Sequence, residues 1–213
     1  MTTINQELFQ LAMSEEARPL MDLVKKHCEE NIAPIQQEFY DLHNEKEDRW
    51  SWHPRQLELL EGAKDKAREL GLWNFFLPDN DGNIGEALTN LDYAYIADDL
   101  GKYPLASESM NCSAPDTGNM EVLQQVGTPE QKKEWLEPLL NGEIRSAYAM
   151  TEPNLASSDA KNISTSAVLD GDEWVINGEK FYISGAGDPR CKIMITMVKT
   201  SPDAHPSKQQ SQI

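Results

Sequence analysis

No run of eighteen apolar residues occurs in this 213-residue chain, so nothing in it reads as a spanning helix. Cysteine is scarce. Cys28, Cys112 and Cys191 lie far apart without CxxC spacing, and an odd, scattered set reads as reduced thiols rather than a disulfide framework. The four histidines, His27, His43, His53 and His205, form no metal-ligand pattern. Basic residues are in the minority, 19 Lys and Arg against 36 Asp and Glu. The formal net charge of −17 argues against a nucleic-acid partner. A polyanionic ligand would have to be held locally, by backbone N–H groups, hydroxyls and a few placed cations. Most of the acidity reads as a contribution to solubility. The N-terminus, MTTINQELFQLAMSEEARPL, lacks a basic stretch followed by an apolar core, so no leader is read there. The C-terminal QSQI is not a peroxisomal address. A cytoplasmic protein is the default expectation, with mitochondria and peroxisomes open.

What is present divides into two periods. From Glu16 to about Leu140 the apolar spacing is helical. Leu20, Leu23, Val24, Cys28 and Ile35 mark one face of a first helix, with Pro34 as its expected end. Leu57, Leu60, Ala63, Ala67 and Leu70 mark a second, opened by Pro54 and closed by Gly71. The loop Pro78 to Gly85, PDNDGNIG, is turn-rich. Further helices are predicted over Thr89 to Gly101 and Thr117 to Val126. Thr128-Pro129-Glu130-Gln131 is a capping box on a proline-set first turn, opening a helix that Asn141-Gly142 ends. After Arg145 the reading becomes strands: Ser164 to Leu169, Glu173 to Ile176, Lys180 to Ser184 and Lys192 to Val198. Asp170-Gly171 and Asn177-Gly178 are the predicted hairpin turns. A few strands with free edges make a poor independent domain, so the chain is expected to be a fragment.

Three motifs carry a resemblance to one family. The first is Ala147-Tyr148-Ala149-Met150-Thr151-Glu152-Pro153 with Ser158-Asp159. The second is Ile176-Asn177-Gly178-Glu179-Lys180-Phe181-Tyr182-Ile183-Ser184, and the third is Gly127-Thr128-Pro129-Glu130-Gln131-Lys132. In this order the chain resembles the N-terminal and middle domains of the acyl-CoA dehydrogenases, from about Glu16 to Ile213. ASSDAKN, SGAGDPRCKI and GLWNFFLP are similar to the branch containing human acyl-CoA dehydrogenase family members ten and eleven. The resemblance implies an α+β fold. An all-α domain over residues 1–144 precedes a truncated, antiparallel, β-barrel-like domain over 145–213, and the family's C-terminal four-helix bundle is absent.

By resemblance, Tyr148, Met150 and Thr151 lie along the isoalloxazine of FAD. Ser184 faces its N5 region beside Ile183, and Tyr182 takes the place of a tryptophan against the flavin. Ser158 matches a serine near the cofactor pyrophosphate and substrate. Donors at Thr151 and Ser184 would stabilise the charge that a reduced flavin carries near N1 and O2. Read alone, both hydroxyls are ordinary strand-end caps. The turn Asn154 to Ser157, NLAS, departs from the family's Gly-Ala-Gly, and without glycine a backbone approaches phosphate less closely. Glu152 and Asp159 read as organisers of local backbone rather than a catalytic pair, and Cys191 as strand filler.

The implied reaction is α,β-dehydrogenation of acyl-CoA. A glutamate takes the α proton while the β hydrogen leaves as hydride to flavin N5. That glutamate belongs to the family's C-terminal helices, so the catalytic base is expected beyond Ile213. The chain alone is expected to be inactive and to retain flavin weakly or not at all. Ser107 to Glu121 is expected to line the acyl pocket. Electron-transfer flavoprotein or another acceptor, and a homo-oligomer of the full-length protein, are the implied partners. Two other readings stay open: an acyl-CoA or nitroalkane oxidase-type flavoprotein, and a truncated non-catalytic protein that binds flavin or a partner.

Overall fold

The computed structural model describes residues 12–46, 48–77 and 88–213, and the loop at 78–85 lies outside them. The chain forms two compact units, 1–113 and 114–213.

The first unit is helical. Helix α1 (Arg18–His27) continues through a π-helical turn at Cys28–Ile32 into α2 (Ala33–Asn44). Pro34, the expected stop, instead opens α2. A proline ring crowds the carbonyl four residues back and has no N–H to give it. The π turn relieves this locally, with the Ala33 N–H bonded to the Cys28 carbonyl five residues back. Helix α3 (Pro54–Glu69) begins on a His53–Gln56 capping box and is followed by Gly71 at φ +74°, a left-handed stop. Helix α4 (Asn90–Leu100) begins where the Thr89 hydroxyl accepts from the Asp92 N–H, 3.1 Å, and Asp92 accepts from the Thr89 N–H, 3.2 Å. A short α5 (Ala106–Ser109) follows. Ile32, Phe39, Leu59, Leu60, Ala63 and Leu105 form the core. Of these, Leu60 and Ala63 lie on the α3 face that the apolar spacing announced.

The second unit joins helices to a sheet. Helices α6 (Asp116–Val126), α7 (Pro129–Gln131) and α8 (Glu137–Leu140) precede the strands, with a π turn at Lys132–Leu136. The Thr128 capping box starts α7. The unit begins well before the change of period at Arg145, because α6 is bonded directly to β1 (Arg145–Ala149). Buried Asp116 accepts from the Ser146 N–H at 2.8 Å and Ser146 Oγ at 2.5 Å, and pairs with Arg145 at 2.7 Å. Asn119 Nδ2 donates to Ser146 Oγ and to the Ala147 carbonyl, at 2.8 and 3.1 Å.

The sheet also contains β2 (Ser166–Asp170), β3 (Glu173–Asn177), β4 (Cys191–Lys199) and β5 (Gln210–Gln212). Its order is β1-β4-β2-β3, with β5 also on β4. It is open, and its pairing is mixed rather than antiparallel. β1 and β2 run parallel to β4, whereas β3 runs antiparallel to β2 and β5 to β4. β2 and β3 form a tight hairpin turned at Gly171 with φ +68°, whereas β4 and β5 are joined by a longer loop. β1 and β4 are joined by a long excursion, and such connections permit parallel pairing. The predicted strand over 180–184 does not form, and that stretch is an irregular loop.

Candidate functional site

The two motif segments meet at the end of β1. Lys180 Nζ donates to the Met150 carbonyl at 3.0 Å and to Glu152 Oε1 at 2.9 Å. The Phe181 N–H donates to the Thr151 carbonyl at 2.8 Å. Three successive residues, 150 to 152, are thereby held by two, 180 and 181. This also explains why 180–184 is no strand: its polar groups bond to the end of β1 instead of a ladder neighbour.

Glu152 is the anchor. It is 4% exposed, and its carboxylate accepts from the Ser164 N–H at 2.9 Å, Ser164 Oγ at 2.5 Å and the Thr165 N–H at 2.9 Å, besides Lys180. Burial alone would raise its pKa. The bonds from Ser164, Thr165 and Lys180 outweigh that and hold the carboxyl well below the usual carboxylate range. The Glu152 N–H donates to buried Ser157 Oγ at 2.9 Å. The expectation that Glu152 organises backbone is met in detail. Asp159 does the same on a smaller scale, capping a 3-10 turn at Ala160–Asn162 through the Lys161 N–H at 3.1 Å.

Around this anchor the named residues face outward. Tyr148 on β1 is half-buried, with its hydroxyl accepting from Gln212 Nε2 at 3.1 Å. Met150 is half-buried and Thr151 exposed at the strand end. Ser158 is exposed on the following turn. Tyr182 is 84% exposed and holds φ +52°, left-handed backbone that bulky side chains rarely adopt. Its ring lies 4.0 Å from that of Phe181, centroid to centroid. Ile183 is half-buried and Ser184 exposed, just before Gly185 at φ +83°. Gly178 approaches Thr165 so closely that a Cβ there would lie 2.3 Å from Thr165 Oγ1 and 2.7 Å from Thr165 Cα.

The wall thus combines outward hydroxyls at Thr151, Ser158 and Ser184 with an open aromatic pair. Thr151, Ser158 and Ser184 are all exposed to solvent. A hollow of about 210 Å³ beside it is lined by Glu152, Pro153, Asn154, Leu155, Ser164 and Glu179. Its two carboxylates make it a poor seat for a pyrophosphate. A separate apolar recess of about 420 Å³ lies between α6 and β4, lined in part by Val126, Trp135, Met194 and Ile213. Cys191 is half-buried, and burial pushes its thiol up, with Asp116 and Asp188 adding to the effect; it is no nucleophile. Among the described residues no cluster of His, Cys, Asp or Glu could hold a metal ion, and no helix is long and apolar enough to cross a membrane.

Lys180, Ser157 and Ser164 are the residues that motif reading passed over. Lys180 had a signal, a lone cation between Glu179 and Phe181 in an acidic chain. Ser157 and Ser164 had none, because their roles depend on contacts with Glu152.

The profile of the acyl-CoA dehydrogenase N-terminal domain matches residues 14–143, and that of the acyl-CoA dehydrogenase middle domain matches 147–212. The chain is 46% identical over 204 residues to acyl-CoA dehydrogenase family member 10 of Mus musculus, covering 94% of this chain and 19% of that protein. Its structure is similar to one described as an acyl-CoA dehydrogenase from Mycobacterium abscessus, with TM-score 0.86 and 42% identity over 95% of this chain and 50% of that one. A glutaryl-CoA dehydrogenase from Mycobacterium smegmatis in complex with FADH2 shares the fold at 22% identity and TM-score 0.63, over 91% of this chain and 45% of that one. The chain therefore spans a fifth to a half of the length of these relatives. By both domain profiles, and by identity over nearly its whole length, the chain belongs to the acyl-CoA dehydrogenase family.

Proposed function

We propose that this chain supplies one wall of the flavin site for FAD-dependent α,β-dehydrogenation of acyl-CoA thioesters. The observation that carries the reading is the junction of the two motif segments through Lys180, Glu152 and the Phe181–Thr151 bond. It holds Phe181, the neighbour of exposed Tyr182, against exposed Thr151, which supports a reading in which Thr151, Tyr182 and Ser184 serve one ligand. Hydroxyl donors next to an aromatic face suit the polar edge and planar body of an isoalloxazine. Bound FAD would supply the acceptor for the hydride that leaves the acyl β carbon. Thr151 and Ser184 would orient it, with Tyr148, Met150 and Ile183 along its apolar part. Ser158 would lie toward pyrophosphate and thioester. The relative in complex with FADH2 supports the cofactor assignment.

The proton-abstracting base is not Glu152. Its carboxylate oxygens are already engaged by Ser164, Thr165 and Lys180, and its depressed pKa suits a fixed anion rather than a proton carrier. The test is visible circular dichroism of the purified chain titrated with FAD and then with an acyl-CoA. A weak induced flavin signal, developing only at excess FAD and perturbed by acyl-CoA, is expected. A flavin signal indistinguishable from free FAD would overturn the reading.

A further inference from the structure

We propose that Lys180 is a positioning residue for the cofactor, fixing the register between the two segments of the wall without touching the flavin. This rests on the flavin reading above.

The Lys180 side chain is 11% exposed and the Glu152 side chain 3%. An ammonium in such a place must be partnered, and this one has two oxygens: the Met150 carbonyl, immediately before Thr151, and the Glu152 carboxylate, immediately after it. Thr151 is bracketed by a single cation. The next residue along the loop, Phe181, donates to the carbonyl of Thr151 itself at 2.8 Å. Backbone positions on both sides of the wall are therefore tied by polar bonds rather than by a sheet ladder. With its head inward, Lys180 presents no charge to the outer surface where Thr151, Tyr182 and Ser184 lie.

The loop has two further fixtures. Gly178 packs on Thr165, and Gly185 lies so close to Ser146 that a Cβ there would be 3.2 Å from the Ser146 carbonyl oxygen. Between them, Tyr182 holds its left-handed backbone. Such a conformation persists when its surroundings over-determine it. Lys180, together with the Phe181–Thr151 bond, acts on both wall segments at once, and Lys180 alone does so through a side chain that can be exchanged. An arginine could keep the charge and reach, whereas methionine keeps the length of the stem and loses the donor.

The test reads the bond and the cofactor separately. Amide hydrogen exchange by NMR would follow the Phe181 N–H in the wild-type chain, Lys180→Met, Lys180→Arg and Glu152→Gln, with the Val198 and Lys199 amides of β4 as the folding control. The expected result is that Phe181 protection falls roughly a hundredfold in Lys180→Met, as for loss of one partner of a buried pair, with β4 unchanged. Lys180→Arg should recover part of it. In parallel, FAD affinity should fall in the order wild type, Lys180→Arg, Lys180→Met. Unchanged Phe181 protection in Lys180→Met would overturn the proposal, and so would lost protection with FAD affinity intact. If the wild type binds no FAD, the cofactor role is overturned together with the flavin reading. Phe181 protection then decides alone whether Lys180 holds the segments together.

Discussion

Two parts of the second unit lie side by side in sequence and are held by opposite means. The β2–β3 hairpin is apolar and open: Val168, Leu169, Trp174, Val175 and Ile176 are all more than 40% exposed. Its shape comes from a two-residue turn and ladder bonds. The loop 178–185 and the end of β1 are polar at their joint, and there Glu152, Ser157 and Thr165 are buried. Apolar side chains in the hairpin gain little from a surface they do not cover, whereas a buried carboxylate with every oxygen engaged defines backbone positions closely. The fine geometry of this unit is concentrated where its polar bonds are, which is also where the family motifs fall.

Substitutions can break this contrast, starting at Glu152. Glu152→Ala strands a buried ammonium and two N–H donors, and should cost about 3–5 kcal/mol in denaturant unfolding. Its charge gives the effect a pH signature. The folded carboxyl titrates below the ordinary value of 4.5. Its stabilisation is therefore fully present above pH 4.5 and is lost as pH falls further, toward the folded pKa. Acid unfolding of Glu152→Gln should be shallower than wild type in that window; parallel curves would contradict the assignment. Gly178→Ala comes next, at about 1–3 kcal/mol, because the clash is with Thr165 backbone as well as its hydroxyl.

Tyr182→Gly should move in the other direction. Relief of left-handed backbone should raise stability by about 1 kcal/mol, while loss of the exposed ring weakens flavin binding. A Tyr182→Gly protein that loses stability would show that the ring serves packing instead. The smallest effect is expected on the hairpin: Ile176→Thr, at a 43% exposed site, should change the unfolding free energy by no more than about 0.5 kcal/mol. A larger loss there would mean that the hairpin face is covered in solution, and the contrast with the loop would have to be redrawn.

Local signals in the sequence were legible where local physics decides. The helix start at Thr89, the capping box at Thr128, the left-handed glycines 71 and 142, and the Gly171 turn all lie where spacing and residue type placed them. Pro34 misled because a proline's cost can be absorbed by one wider turn, and nothing in residue type announces a π turn. The stretch 180–184 misled because a β-rich composition was outbid by non-local polar bonds to residues 150–152. The antiparallel expectation failed for the same reason: chain neighbours suggest hairpins, while β1 and β4 pair across a long excursion. In the candidate site, Thr151, Ser158, Tyr182 and Ser184 were legible as a pattern. Lys180 was legible only as an isolated cation, its partners lying up to thirty residues away, and Ser157 and Ser164 were not legible, since their roles depend on contacts with Glu152.

The central claim is that Thr151 and Ser184 belong to one cofactor-binding surface. Equilibrium titration of FAD against the wild-type chain, Thr151→Val, Ser184→Ala and the double variant tests it most directly. Weak binding that saturates only at excess FAD is predicted for the wild type. Each single variant should weaken it by about fivefold to tenfold, as expected for one hydrogen bond, and the double variant by more than either. FAD affinities unchanged in the double variant, with the fold intact, would contradict the account.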